Sequence, residues 1–391
     1  MSRIKMVSCA YVLILGLLLM ACSTGSPSET TVPEAQIQEP VPVSSQSDET
    51  RAGVFYYSFS DTYMAEVRTH LDIALHDADI SFVNYDAASS QATQNAQIET
   101  ALESGINLMI VNIVSSGNAN ASIEIIEKAS ARDVPVIFFN KPIEEEGEEG
   151  SILGVYDNIA FVGTDAPQAG HMQGEMIGRY AVSHYDEIDL NGDGVISYAL
   201  FKGEALNPEA VYRSRYAVED ADAILEEAGY PPMQYFDPSN YDQFQLDLAG
   251  TWSDTSAKTY MNANLVTYNI ENNNMIELVI CNNDNMAEGV ILALNAAGYN
   301  TGVPDTVTIP VFGVDATEYA RQLIASGRMT GTIVQDAALM AEVVTCLAEN
   351  AAEGRDLMEG TEDYPKDLEH GLNNKIIIPF SFYEPEGRSN P

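Results

Sequence analysis

The chain has 391 residues, of which 46% are hydrophobic, and a chain of this length and apolar content can build two domains. Its 58 acidic and 18 basic side chains give a formal net charge of −40. A chain this acidic repels phosphate backbones and anionic lipid headgroups, which argues against nucleic acid as a partner and against direct docking to a membrane.

The first 21 residues have the pattern of a secretory signal peptide. Arg3 and Lys5 precede the apolar run YVLILGLLLM, and the segment LMAC ends at Cys22. This run is short for a span of about 30 Å of hydrocarbon, so a transmembrane anchor is the weaker interpretation. We expect removal of residues 1–21, lipidation of Cys22 and export of the protein, which the lipid alone would hold to a membrane.

Residues 22–50 predict a flexible tether. They are rich in Ser, Thr, Pro and Glu and show no apolar periodicity, so they cannot bury a hydrophobic core. Treated as a random coil, about 28 residues span on the order of 30 Å. Such a tether would hold a folded body clear of the membrane surface.

The rest of the chain alternates predicted strands with predicted helices. Strands are predicted at 53–57, 80–85, 107–114, 134–140 and 160–163, with helices at 61–77 and 118–131. After Asp165 the pattern restarts, with helices at 167–185, 208–228, 255–268, 285–297 and 338–352, strands at 195–202, 233–236, 276–281 and 375–382, and shared elements at 308–314 and 329–334. Continuous apolar strands between helices are typical of parallel sheets covered on both faces. The restart predicts an α/β fold with two such sheets.

Polar side chains follow most of the predicted strands, and ligands of such sheets collect at the carboxyl ends of the strands. Any one of these residues is explained as a helix cap. Together, their amides and carboxylates offer the paired donors and acceptors that the hydroxyl groups of a sugar require. The residues are Asp61, Tyr63, Asn112, Asn140, Asn207, Glu209, Arg213, Asn282, Asn283, Asp284, Asp315, Gln335 and Asp336.

The segment DLNGDGVISYAL, residues 189–200, has most of a calcium-binding EF-hand loop. Asp189, Asn191 and Asp193 occupy loop positions 1, 3 and 5, and Gly194 supplies the turn at position 6. Position 12 is Leu200, where such loops carry a bidentate Glu. The loop therefore predicts a calcium site that lacks one ligand, and an acidic turn without metal remains the alternative.

No common enzyme motif occurs in the sequence. It contains no G-x-S-x-G, no H-E-x-x-H, no phosphate-binding loop and no dinucleotide-binding fingerprint. A hydrolase that uses a pair of carboxylates stays open, because several acidic residues follow the strands.

An ordered set of short segments resembles the periplasmic galactose/glucose-binding protein family. The segments are IFFN at 137–140, AFVGTD at 160–165, DLNGDG at 189–194, LFKGE at 200–204, ICNNDNMAEG at 280–289, IPVFGVDA at 309–316 and GTIVQDA at 331–337. The resemblance runs from about residue 51 to residue 382. It implies two Rossmann-like lobes joined by a three-stranded hinge, with the ligand in the cleft between the lobes.

The resemblance also implies where the lobes divide. The hinge crossings would lie near 163–165, 335–336 and 377–379. The N-terminal lobe would then comprise residues 51–163 plus 336–377, and the C-terminal lobe, with the calcium loop, residues 164–335 plus 378–391.

For the calcium loop, the resemblance implies that Glu277, on a distant strand, supplies the missing ligand. Asp189, Asn191, Asp193, the Val195 carbonyl and Glu277 would then give an oxygen cage with three formal negative charges. Ser197 stands at loop position 9, where the family carries a longer Gln. A strand rather than a helix follows the loop, so the ion would be structural and not a switch.

For the ligand, the resemblance implies a sugar site with four departures from the family. Tyr63 replaces a Phe, Asn207 a His, Glu209 an Asp and Gln335 an Asn. Tyr63 and Trp252 would sandwich the sugar ring, because its C–H faces pack on aromatic faces. Glucose or galactose is the first expectation, and xylose or another aldose the second. The implied ligand contacts are Asp61, Tyr63, Asn112, Asn207, Glu209, Arg213, Trp252, Asn283, Asp315 and Gln335.

The leading hypothesis is a lipid-anchored, substrate-binding component of an ABC sugar importer, whose lobes close on one monosaccharide and whose closed form a permease recognises. We expect this component to act as a monomer. The alternative is a sensory module whose closed form engages a chemoreceptor or a sensor kinase.

Overall fold

A computed structural model of the chain describes residues 49–384. The predicted signal peptide, Cys22 and nearly all of the predicted tether lie outside the described residues, as does the end of the chain from residue 385. Within residues 49–384, no helix combines the length and the apolar character needed to cross a membrane.

The described chain consists of alternating strands and helices. The strands are β1 Arg51–Tyr56, β2 Ser81–Asp86, β3 Leu108–Val111, β4 Val136–Phe139, β5 Ile159–Gly163, β6 Ser197–Lys202, β7 Gln234–Tyr235, β8 Gln245–Leu246, β9 Leu278–Cys281, β10 Val311–Asp315, β11 Gly331–Val334, β12 Lys366–Asp367, β13 Leu372–Ile377 and β14 Ser381–Phe382. The helices are α1 Thr62–Asp77, α2 Gln91–Glu103, α3 Ala119–Ser130, α4 Ala166–Ser183, α5 Tyr185–Ile188, α6 Pro208–Glu227, α7 Asp254–Thr267, α8 Asp284–Ala296, α9 Glu318–Ala325 and α10 Ala337–Ala352.

The first sheet has the strand order β12-β13-β5-β4-β3-β1-β2. All its pairings are parallel except that of β12 with β13. Its central strands are buried along their whole length, as LMIV in β3 and VIFF in β4 show. Helices cover both faces, so these strands carry apolar side chains on each side.

The second sheet has the order β14-β11-β10-β9-β6-β7, and β8 also pairs with β6. Its pairings are parallel except that of β14 with β11. Helices α4 and α6 pack against each other, with Gly170 and Gly174 of α4 set directly against the backbone of α6. The prediction of an α/β fold with two lobes is confirmed.

The chain passes between the two sheets after β5, after β11 and after β13. The last passage corrects the prediction of one strand at 375–382, because the structure has β13 in the first sheet and β14 in the second. Pro379 lies between them and has no N–H group for a ladder hydrogen bond, so the strand is interrupted there.

Besides the four-residue α5, two helices were not predicted from the sequence. Helix α2 has the sequence QATQNAQIETALE, in which only Ile98 and Leu102 are large apolar residues. Helix α9 is only 8 residues long. Helix α2 therefore has too few apolar residues to show a helical period, and α9 is shorter than the stretch over which such a period is recognised.

Candidate functional site

A polar cavity lies between the two sheets, at the carboxyl ends of their strands. It encloses about 410 Å³ of space, part of which is open to solvent. The cavity is lined by Tyr57, Asp61, Tyr63, Met64, Asn140, Lys141, Asn207, Glu209, Arg213, Trp252, Asn283, Asp315 and Gln335.

The structure brings all the predicted ligand contacts to this cavity except Asn112. Asn112 is fully buried behind it. The Asn112 Nδ2 atom donates to the Phe139 carbonyl oxygen and to Asn140 Oδ1, each at 3.2 Å. Its Oδ1 atom accepts a hydrogen bond from the Tyr57 backbone N–H at 3.3 Å. Asn112 therefore holds together the loops that line the cavity. Asn140, rather than Asn112, lies at the cavity surface.

Several predicted residues cap helices and also line the cavity. Asp61 accepts a hydrogen bond from Met64 N at 2.7 Å at the start of α1. Asn207 caps α6 and Asn283 caps α8 in the same way. Capping fixes the rotamer of each side chain. The helix starts thereby place these polar groups at the cavity.

Four lining residues lie outside the set that the resemblance implied, namely Tyr57, Met64, Asn140 and Lys141. The Tyr57 hydroxyl donates to Asp61 Oδ2 at 2.6 Å. Asn140 has a φ of 62°, a left-handed conformation that Asn tolerates better than most residues. Its position directly after β4 was the available signal, since polar residues after parallel strands meet at one edge.

Two aromatic side chains line the cavity. Tyr63 and Trp252 are 5% and 7% exposed. The Trp252 ring lies against Gly203, where an added Cβ would come within 2.1 Å of the ring. Only glycine therefore fits at position 203 while Trp252 keeps this place.

A buried cation, Arg213, is central to the cavity. Its Nη2 atom donates to Glu209 Oε2 at 2.7 Å and to Gln335 Oε1 at 3.1 Å. Its Nη1 atom donates to the Asn282 carbonyl oxygen at 2.9 Å and lies 3.9 Å from Asp315 Oδ1. Burial raises the pKa of the Asp315 carboxyl, and the Arg213 charge opposes this shift.

Two buried donors in this group have no hydrogen-bond partner among the described residues. They are Arg213 Nε and Gln335 Nε2, both in side chains that line the cavity. A buried donor left without an acceptor costs about 1–3 kcal/mol. A ligand that brought oxygen acceptors within hydrogen-bond distance of these atoms would offset this cost.

The loop at 189–200 lies beside Glu277, as the resemblance implied. Glu277 Oε1 accepts hydrogen bonds from Leu190 N at 2.8 Å and Asn191 N at 3.2 Å, and Oε2 accepts from Ser197 N at 2.8 Å. Asp189 accepts from Gly192 N and Gly194 N. The donors are hard oxygens that suit calcium.

The positions of these oxygens favour metal binding less than their chemistry does. They bond to N–H groups, and among residues 49–384 no group of three or more His, Cys, Asp or Glu side chains is placed to hold a metal ion. The Ser197 hydroxyl donates to the Met275 carbonyl oxygen at 2.8 Å and to Glu277 Oε2 at 3.1 Å.

Comparison with known proteins identifies a family that matches most of the chain. A sequence model described as a periplasmic binding protein domain matches residues 52–356. The D-galactose/methyl-galactoside binding periplasmic protein of Haemophilus influenzae is 32% identical over 320 residues, which cover 82% of this chain and 86% of that protein.

Solved structures with the same fold include two ABC transporter solute-binding proteins. One, from Bacillus halodurans with bound myo-inositol, is 22% identical with a TM-score of 0.63, and the match covers 88% of this chain and 96% of that chain. The other, from Clostridium phytofermentans with bound β-D-glucose, is 18% identical with a TM-score of 0.64, and the match covers 86% of this chain and 94% of that chain.

We expect Gly203→Ala to displace Trp252, because the new Cβ would lie 2.1 Å from its ring. Overpacking of this kind costs about 1–3 kcal/mol. The variant should melt at a lower temperature, and the emission of Trp252, the single tryptophan of the chain, should move to longer wavelength as the ring meets water. An unchanged spectrum and melting temperature would contradict this packing.

Proposed function

We propose that this chain, which belongs to the periplasmic binding protein family, is the sugar-binding component of an ABC importer. Its relatives in the family are solute-binding proteins rather than enzymes, so the chain is a binding protein and the hydrolase alternative falls. The family is an exported one, which agrees with the predicted signal peptide.

The observation that carries the proposal is the pair of unpartnered donors, Arg213 Nε and Gln335 Nε2, in a cavity that also presents carboxylates and two aromatic rings. A monosaccharide has oxygen acceptors and hydroxyl donors around its edge and apolar C–H groups on its faces. The acceptors suit the unpartnered N–H groups, the hydroxyls suit Asp61 and Asp315, and the faces suit Tyr63 and Trp252.

For the identity of the sugar, we propose glucose or galactose. Support comes from the galactoside-binding relative of Haemophilus influenzae. Tyr63, Asn207, Glu209 and Gln335 differ from the family pattern, and all four line the cavity. Xylose and other aldoses are therefore part of any test.

We further propose that Cys22 carries a lipid and that residues 22–50 tether the binding body to the membrane. The permease would then meet the closed form of a monomeric protein near the membrane surface. A chemoreceptor or sensor kinase that reads the same closed form is the alternative, and a gene for a permease beside this one would favour import.

Calcium in the loop at 189–200 is also a proposal. The support is the oxygen-rich set of Asp189, Asn191, Asp193 and Glu277 around one turn, with Val195 and Ser197 as further oxygen donors. Three carboxylates around one loop repel one another unless N–H groups or a cation offset their charge. A bound ion would join the loop to the start of β9 and so stabilise the second lobe.

Titration of glucose, galactose and xylose should give saturable binding of at least one sugar, with heat by calorimetry and a change in Trp252 emission. The emission should change because a sugar ring would replace water at this face as the lobes close. Saturable heat with a flat emission would place Trp252 away from the ligand. Absence of binding to any aldose would contradict the proposed function.

We expect Arg213→Ala and Gln335→Leu each to weaken sugar binding at least about tenfold, which corresponds to about 1.4 kcal/mol. Each removes a buried donor that the sugar is proposed to satisfy. Calorimetry measures the affinity, and a thermal melt shows that the variants fold.

Arg215→Ala is the matched control for these variants. Arg215 lies on the same helix, is more than half exposed and pairs with Glu219 on the surface. Its loss should leave the affinity within about twofold, since exposed ion pairs contribute little. If the unmutated protein and the two cavity variants bind the sugar with equal affinity, the sugar does not bind at Arg213 and Gln335.

Removal of calcium with a chelator should lower the melting temperature, because an ion that binds only the native state stabilises it. Glu277→Gln removes one carboxylate of the set and should abolish the chelator effect. Glu271→Gln, on the same chain segment but outside the loop, should keep it. If the chelator leaves the melting temperature of the unmutated protein unchanged, a stabilising calcium ion is excluded.

A further inference from the structure

An ion pair joins the two lobes at the edge of the cavity. Lys141 follows β4 of the first sheet, and Glu204 follows β6 of the second. The Lys141 Nζ atom lies 2.9 Å from Glu204 Oε2, and the two side chains are 6% and 18% exposed. A pair this buried is screened by salt far less than a surface pair.

Each charge also has partners in its own lobe. Lys141 Nζ donates to the Val114 carbonyl oxygen at 3.0 Å and lies 4.2 Å from the centre of the Tyr57 ring. Glu204 Oε2 accepts a hydrogen bond from Asn207 Nδ2 at 3.1 Å and from Trp252 Nε1 at 3.4 Å. The Tyr57 hydroxyl in turn bonds to Asp61. Both partners of the ion pair thus touch residues that line the cavity.

The backbone brings the two loops together at the same edge. Gly117, in the loop after β3, faces the loop after β6, and an added Cβ there would come within 2.3 Å of the Leu206 carbonyl oxygen. The loops are therefore in direct contact when the ion pair is formed. Separation of the lobes about the hinge would break both contacts.

We propose that Lys141 and Glu204 form a latch that holds the closed lobes around the ligand and sets how slowly the ligand leaves. This inference rests on the proposed function and adds a positioning residue, Glu204, which does not line the cavity. When the lobes open, each charge keeps the partners of its own lobe, so the charges stay oriented. When the lobes close on a sugar, the pair forms out of water, where its attraction is strong.

The latch predicts a change in the rate of release. Loss of one partner of a buried charge pair acts mainly on dissociation. In Glu204→Gln, the bound aldose should therefore leave at least about tenfold faster, with the association rate within about threefold of the unmutated value. Stopped-flow Trp252 emission gives both rates, and rates are compared rather than amplitudes because Glu204 contacts the indole.

A double-mutant cycle separates the latch from other roles of the two residues. Lys141→Met should also speed release, and the double variant should release the sugar about as fast as either single variant, because the pair acts as one unit. Purely additive effects would mean that each residue acts alone, and would overturn the latch. Glu124→Gln breaks the surface pair of Glu124 with Lys128 inside α3 and should leave release unchanged within about twofold.

The outcomes distinguish the latch from the function it rests on. If the unmutated protein binds an aldose and Glu204→Gln releases it at the unmutated rate, the latch is wrong and the proposed function stands. If the unmutated protein binds no aldose of the panel, the proposed function is wrong and the latch falls with it.

Discussion

The burial of one guanidinium constrains the whole site. Arg213 is 4% exposed, and a buried charge must have hydrogen-bond partners or opposite charges nearby. Its partners come from its own helix α6 and from the ends of β9, β10 and β11. The carboxyl ends of the second sheet therefore have to meet around this side chain.

This constraint explains why helix starts supply so much of the cavity. Parallel strands end at one edge, and each following helix begins there with a side-chain cap. Asp61, Asn207 and Asn283 use one oxygen for the cap and keep the rest of the side chain at the cavity surface. Each of these residues thus has two roles, because it caps a helix and also lines the polar cavity.

The sequence was sufficient for the fold and for most of the placement of the site. Buried strands such as VIFF and the polar residues after them are visible one after another along the chain. Helix α2 was not predicted because its apolar residues are too few to show a period, and α9 because it is only 8 residues long. The resemblance implied a crossing near 377–379, but the apolar run at 375–382 was predicted as one strand because such a run does not show where a strand is interrupted.

Side-chain positions within the site were harder to infer. Asn112 and Asn140 each follow a strand, and only the structure shows that Asn140 lines the cavity while the fully buried Asn112 lies behind it and donates to Asn140 Oδ1. Lys141 has no sequence pattern of its own. Its partner Glu204 lies 63 positions further along the chain in the other lobe, so their pairing depends on tertiary structure alone.

Glu209, which the resemblance implied to be a departure from an Asp, also holds the protein itself. Glu209 accepts a hydrogen bond from the Thr164 hydroxyl in the first passage between the sheets, and its other oxygen accepts from Arg213. Because Glu is one methylene longer than Asp, it can reach both groups at once. The residue thereby connects the passage between the lobes to the buried cation. A change in the angle between the lobes would therefore move Glu209 relative to Arg213. We therefore expect ligand affinity to depend on how the lobes close as well as on the groups that line the cavity.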